Sequence, residues 1–353
     1  MELAIQHYLR NVGNLESLRA GLGIKAKRHT EYDNLVLLKY SQIDSPKAHP
    51  IVRECRGLIL DEANDWAVVS RPLDRFFNYG EFYADVLDQD SIQAYEKLDG
   101  SLMCLYYYDN QWQVQTSGTP DASGEVSQSM GLTFKELFWQ TWNQQGYKLP
   151  SPFWRGATFV FELVGPLNQV VVHYKEADIH LLAVRLNSSG KEVSSEARAK
   201  SYGWKHAKRF DPDNLDVSLP ATALEGYILI DKDNKRVKIK TAQYVALHRT
   251  GSHGMTAEDA LAIVMAGEID EMVAYFPKHK DLLRSLERKW LALRSQVVTD
   301  WSKYGVLSGD RAEFAKAVSK LKHKSVLFSI ADNKDWLAMC VANPKRTLKV
   351  LAD

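Results

Sequence analysis

Apolar and polar positions follow two different rhythms along this chain. Up to about residue 250, short runs rich in β-branched and aromatic residues alternate with Gly, Pro, Asn and Asp, the pattern of strands joined by turns. Leu58–Leu60, Ala67–Ser70, Leu102–Tyr108, Gln113–Thr116, Thr158–Val164, His180–Leu186, Gly226–Asp231 and Arg236–Thr241 read as strands, and Leu132–Gln145 as an interrupting helix. Beyond His248 the rhythm becomes helical. Thr256 and Asp259 suit an N-cap for a helix over Ala257–Ala266. Leu282, Leu286, Trp290, Leu293 and Val297 recur at helical spacing and predict one face of a long helix, and Phe314, Val318 and Leu321 continue the habit. The pattern predicts an α+β chain, a strand-rich domain over 1–250 followed by an all-helical domain over 251–353.

Composition narrows the classes. Of 353 residues 45% are hydrophobic and 25% charged, which excludes a disordered chain. No apolar run approaches the ~20 residues of a membrane helix, the first residues carry no signal-peptide core, and Cys55, Cys104 and Cys340 stand far apart. A cytoplasmic protein without a disulfide framework or cysteine zinc site is expected. The net charge of +1 conceals an asymmetry, because residues 278–353 hold 16 Lys and Arg against 8 Asp and Glu. A basic helical domain on an acidic remainder points to a polyanionic partner, the alternative being a helical surface of solvated lysines.

Four segments carry candidate chemistry. In Glu96-Lys97-Leu98-Asp99-Gly100-Ser101 a lysine precedes an Asp-Gly turn and a strong strand. A protonated lysine is a poor nucleophile, so a catalytic one needs a site that lowers its pKa or removes its proton. Glu162 lies in the otherwise apolar run Phe161–Val164, where an unpartnered carboxylate is costly to bury. Glu225-Gly226 again places an acid and a glycine at the start of a strand. In Val237-Lys238-Ile239-Lys240, alternation puts both lysines on one face of a strand, where they repel unless an anion lies by them. A phosphate chain is one such anion; a plain lysine-edged strand is the alternative reading. His173, His180 and His248 lack a second ligand at metal spacing and read as structural, and Trp139, Trp142, Trp290 and Trp301 as core.

In their order these segments resemble the nucleotidyltransferase motifs of ATP-dependent polynucleotide ligases and capping enzymes. Glu54-Cys55-Arg56-Gly57, Ser70–Asn78, Glu162 with Gly165–Asn168, and Lys238–His248 extend the resemblance to the RNA ligase 1 family. That resemblance implies an antiparallel-sheet adenylyltransferase domain and an all-α, RNA-holding C-terminal domain. It implies an ATP-dependent RNA ligase that joins 5′-phosphate and 3′-hydroxyl ends through lysyl-AMP, with Mg²⁺ or Mn²⁺ as the metal, in RNA repair such as that of tRNA. An RNA end-healing kinase or phosphatase is a partner it leaves open. It gives Lys97 as nucleophile, with Glu162, Lys238, Lys240 and Tyr244 as further catalytic residues. Arg56, Arg75, Phe77, Asp99, Gly100, Glu162, Glu225, Gly226, Lys238 and Lys240 would surround ATP, and Glu225 and Asp270 would bind metal.

Two departures bear on phosphate binding. Arg75 stands where the family carries a lysine, so a planar fork replaces a point charge. Ser117 occupies a position that is often basic in relatives, so a cation is missing there. A ligase for DNA ends and a non-catalytic RNA-binding protein on a ligase scaffold are the competing readings. Against the first, no five-strand OB-fold pattern follows Lys240.

Overall fold

The computed structural model describes residues 2–126, 131–245 and 255–352. The chain divides into two compact units, Met1–Val245 and Ala246–Asp353. His248 and the following glycine-rich stretch, where the rhythm of the sequence changes, lie outside the described residues.

Among the described residues, the first unit holds fifteen strands. They are β1 (Ile24–Arg28), β2 (Leu35–Tyr40), β3 (Arg56–Asp61), β4 (Ala67–Ser70), β5 (Phe77–Asn78), β6 (Gln93–Lys97), β7 (Ser101–Tyr108) and β8 (Gln111–Thr116). Then follow β9 (Ala157–Val164), β10 (Asp178–Leu186), β11 (Glu192–Val193), β12 (Lys205–His206), β13 (Arg209–Phe210), β14 (Gly226–Ile230) and β15 (Arg236–Lys240). Three sheets result, in the orders β1-β2-β3-β4, β11-β10-β9-β7-β8 with β12 beside β10, and β13-β6-β14-β15-β5. Pairing is antiparallel except at β10–β12 and β15–β5. The expected α+β class with antiparallel sheets is what the chain adopts.

Each sheet buries at least one face in a core, and the first buries both, its Leu35, Leu37 and Ile59 packing with Tyr106 of the second. Val36, Leu38, Leu58 and Leu60 of the first sheet pack under the helices Ala4–Asn11, Leu15–Leu22 and Pro50–Glu54. In the second sheet Phe159 and Phe161 pack with Phe138 and Trp142 of the helix Phe134–Gln144 and with Trp204. That helix opens on a capping box, in which Thr133 accepts from the Glu136 N–H and Glu136 bonds back to Thr133. The third sheet buries Ala94, Leu229 and Val237 on one face. The opposed faces of the second and third sheets stay partly open, and the site lies between them.

The second unit holds the helices Ala257–Ala266, Ile269–Tyr275, Lys280–Tyr304, Arg311–Val318, Lys324–Ala331, Trp336–Ala342 and Pro344–Leu351. Its long helix buries Leu283, Trp290, Leu293 and Val297, whereas Leu282 is exposed. The predicted stripe therefore starts one residue early: Leu283, Trp290 and Val297 follow a seven-residue repeat, and extrapolating spacings of four back from Trp290 drifts off the face. Among the described residues, no helix is long and apolar enough to cross a membrane.

Candidate active site

Lys97 ends β6 and enters the turn that starts β7. Gly100 is required there by contact, since a Cβ on it would lie 2.2 Å from the Leu163 carbonyl oxygen. Asp99 is buried and points away from the open face. Its Oδ2 accepts from the Val171 and Val172 N–H groups at 2.8 and 2.7 Å, and its Oδ1 accepts from the Tyr244 hydroxyl at 2.7 Å. The Asp99 N–H donates to the Tyr174 hydroxyl at 3.0 Å. Asp99 thus fixes the turn that presents Lys97, and Tyr244, itself buried, is part of the anchorage.

Strand register brings the charges together. In the β6-β14-β15 trio, Gly226 stands directly opposite Lys97 on one side and Lys240 on the other. A Cβ at Gly226 would meet the Ile239 carbonyl oxygen at 2.0 Å, so this position tolerates no side chain. Glu225, immediately before it, is buried and reaches both lysines: Oε2 is 2.6 Å from Lys97 Nζ and Oε1 is 3.5 Å from Lys240 Nζ. The anion expected beside the paired lysines is therefore, for Lys240, a carboxylate of the protein itself. Val237 is core, as alternation requires, while Lys238 and Lys240 face the opening.

That opening is a cavity of about 610 Å³. Lys97, Lys238 and Lys240 come from the third sheet, Glu162 from the second and Arg56 from the first, over an apolar lining that includes Leu102, Leu182 and Ile228. Glu162 sits between Leu102 and His180 in register. Burial pushes its carboxyl up to about 8, opposed by the charge of Lys97. Arg56 lays its guanidinium over the Phe76 ring, 5.2 Å from the centroid.

Of the residues expected to surround a nucleotide, Arg56, Lys97, Glu162, Lys238 and Lys240 line this cavity. Glu225 and Gly226 lie at its wall through their contacts with Lys97 and Lys240. Asp99, Gly100 and Tyr244 support the Lys97 turn from behind. Phe77 is buried, with its neighbour Phe76 in the cavity instead, and the Arg75 guanidinium stacks over Tyr40 and Phe77, 4.3 and 5.2 Å from their ring centres. Asp270 belongs to the helical unit, where it pairs with Arg284. Sequence reasoning missed Lys39, Tyr95, Arg236 and His206, which also line the cavity. For Arg236 a signal existed, since it shares the parity of Lys238 and Lys240; it is held by Glu192, with Nη1 2.7 Å from Oε1. His206 ends β12, with Nε2 2.8 Å from the Oγ of Ser195, the first residue of the helix Ser195–Tyr202, and nothing local announces it.

Among the described residues no group of three or more His, Cys, Asp or Glu could hold a metal ion unaided. A donor set of one or two carboxylates completed by substrate phosphates is nonetheless what Mg²⁺ ordinarily uses. Glu162 fits that role, because a carboxylate whose ionisation is suppressed by burial gains from a cation; both oxygens of Glu225 are already engaged.

The site is thus a lysine–carboxylate–lysine arrangement at a glycine strand crossing, opening on a cavity lined by further lysines and arginines. The model of a family described as RNA ligase matches residues 54–244, more than half of the chain, and the chain belongs to that family. It is 30% identical over 305 residues to a protein of Autographa californica nuclear polyhedrosis virus whose name joins a polynucleotide kinase to an RNA ligase. That alignment covers 80% of this chain and 43% of the viral protein, so the chain spans less than half of that relative. An RNA ligase of Rhodothermus phage RM378 is 27% identical, over 69% of this chain and 70% of the phage protein. Among solved structures, an archaeal ATP-dependent RNA ligase is similar with a TM-score of 0.46 and 13% identity, over 71% of this chain and 64% of that one.

Proposed function

We propose that the first unit is an adenylyltransferase and that the whole chain is an ATP-dependent ligase joining 5′-phosphate and 3′-hydroxyl RNA ends. The observation that carries this reading is the Glu225 carboxylate held between Lys97 and Lys240 at the edge of a cationic cavity. Leu102, Leu182 and Ile228 offer an apolar wall for a purine, and Lys238 and Lys240 meet the phosphates. The Lys97 amine attacks the α-phosphorus of ATP; an N–P bond forms, the bond to the β-phosphate oxygen breaks, and pyrophosphate leaves. Glu225 Oε2, 2.6 Å away, is placed to take the proton from the ammonium first. A 5′-phosphate oxygen of RNA then displaces Lys97 from the adenylyl phosphorus. The 3′-hydroxyl attacks the activated 5′-phosphate, and AMP leaves. Most of the catalysis is positioning and neutralisation of charge. Glu162 would hold Mg²⁺ or Mn²⁺, which would supply further neutralisation of charge.

The basic helical unit is assigned the task of holding RNA, on the strength of its charge. Repair of broken RNA such as tRNA, in the cytoplasm, is the proposed setting. The viral relative's name joins a kinase to a ligase, which supports an end-preparing kinase or phosphatase as partner. Incubation with α-phosphate-labelled ATP and Mg²⁺, followed by denaturation, tests the chemistry. Label should stay on the wild-type chain and be absent from Lys97→Ala. No label on folded protein free of bound AMP overturns the reading, and RNA binding without label replaces it with a binding protein. Comparison of RNA and DNA ends then tests the substrate.

A further inference from the structure

Lys39 of β2 stands directly opposite Arg56 of β3, and both side chains line the cavity. Like charges directly opposed across two strands destabilise a sheet unless an anion joins them. Lys97 and Lys240 have Glu225 for that purpose, but among the described residues no carboxylate lies within ion-pair distance of Lys39 or Arg56. Burial, then the charges of Arg56 and Lys25, hold the Lys39 ammonium below its usual pKa. The Ser117–Gly118 turn closes over the pair. Gly57, at φ +88°, is packed so tightly that a Cβ there would sit 3.2 Å from Ser117 Cα, and a Cβ on Gly118 would be 3.5 Å from Lys39 Nζ. The turn is stiffened by Thr116 Oγ1, which accepts from the Gly118 and Thr119 N–H groups at 3.1 and 3.0 Å. Ser117 also lines the cavity.

We propose that Lys39, Arg56 and Ser117 form a phosphate-binding subsite, in which Lys39 supplies from β2 a second positive charge beside Arg56 and Ser117 a hydroxyl. The subsite takes a phosphate group other than the one Lys97 attacks, because the Lys97 cluster carries its own counter-charge and this pair does not. Two sources share that chemistry: the pyrophosphate part of ATP and the 5′-phosphate end of the RNA. The choice between them rests on the proposed ligase function; the subsite itself does not.

Calorimetric binding of inorganic pyrophosphate to the wild type, Lys39→Met and Lys39→Arg, without turnover, tests the subsite separately from ligase activity. A 5′-phosphorylated oligonucleotide, compared with its 5′-hydroxyl counterpart, forms the second arm. Lys39→Met should weaken one of the two phosphate ligands about tenfold, the loss of one charge-assisted hydrogen bond, and Lys39→Arg should restore most of it. Without ligand, Lys39→Met should melt no lower than the wild type, since it relieves repulsion from Arg56. Loss confined to pyrophosphate identifies the nucleotide's leaving group; loss confined to the oligonucleotide identifies the strand end. Unchanged affinity for both ligands overturns the subsite, as does a lower melting temperature with no change in binding.

Discussion

Lys97 Nζ and Glu225 Oε2 lie 2.6 Å apart although 128 positions separate them in sequence, and Gly226, directly opposite Lys97, is what brings them together. With no side chain between β6 and β14 at that point, the carboxylate of the preceding residue can turn toward the amine. A second lysine from β15 meets the other oxygen at 3.5 Å. The charge pattern is therefore a product of register: a one-residue slip of any of the three strands would send its side chain to the opposite face.

Glu225→Gln should keep the shape and remove the charge. Lys97 then has no carboxylate to take its proton, and adduct formation with labelled ATP should fall about 100-fold or more. Because Lys97 is partly open to solvent, the stability cost should be modest, about 2 kcal/mol after screening. Rapid-quench measurement of lysyl-AMP formation, beside thermal melting, checks both. Wild-type adduct formation in a folded Glu225→Gln variant would remove Glu225 from the proton path.

Gly226→Ala should act on the fold before the chemistry. Its methyl group would fall 2.0 Å from the Ile239 carbonyl oxygen and 2.6 Å from Lys240 Cα, both backbone atoms that cannot swing aside. Separation of β14 from β15 follows, at a cost of at least ~3 kcal/mol. Thermal melting of the variant should show a drop of roughly 6–12 °C for a unit of this size. A melting temperature equal to that of the wild type would show that the strands can part without loss.

Glu162 makes a prediction about pH. Its carboxyl is held at about 8 in the folded chain, by burial, against a usual 4.5. Between these values the folded state binds more protons at this group than the unfolded state does, so its contribution to stability falls as pH rises. The effect is absent below pH 4.5 and complete above pH 8. Glu162→Gln, which never ionises, should match the wild type near pH 5 and be more stable near pH 9, by about 2–3 kcal/mol after allowance for solvent. Urea melts at the two pH values check this. A constant difference across the range would show that Glu162 titrates normally.

Much of the site was legible because strand alternation is a short-range rule. Lys238 and Lys240 had to share a face once Val237 and Ile239 were core, and they do. The Lys97 motif announced its own turn. What stayed hidden depends on sheet order. Nothing near Lys39 says that β2 will bring it opposite Arg56, and β1, with four exposed residues out of five, carries too little apolar signal to be read as a strand. The sequence also suggests an anion beside Lys238 and Lys240; for Lys240 one is Glu225 of the protein itself, which no short-range rule places there. Asp99 was expected among the residues around ATP, yet the N–H groups of Val171 and Val172, over 70 residues away, turn it inward.

Tyr244 separates two roles that the sequence cannot tell apart. Resemblance gives it a part in joining, whereas its hydroxyl donates to Asp99 Oδ1 at 2.7 Å in a buried setting, behind the turn that carries Lys97. A positioning role predicts that Tyr244→Phe removes one hydrogen bond to a buried carboxylate, worth about 2 kcal/mol. The first unit should then melt roughly 4–8 °C lower, and Lys97, on a loosened turn, should form its adduct more slowly. Joining of RNA already carrying AMP on its 5′ end bypasses Lys97 and should be the less affected step. A direct role in joining predicts the reverse, with melting and adduct formation intact and pre-adenylylated RNA left unsealed. Asp99→Asn supplies the control. It removes the charge that Tyr244 serves, so under the positioning role the two substitutions together should cost less than the sum of their separate effects. Independent, additive losses would mean that the hydrogen bond between them does not couple the Lys97 turn to Tyr244.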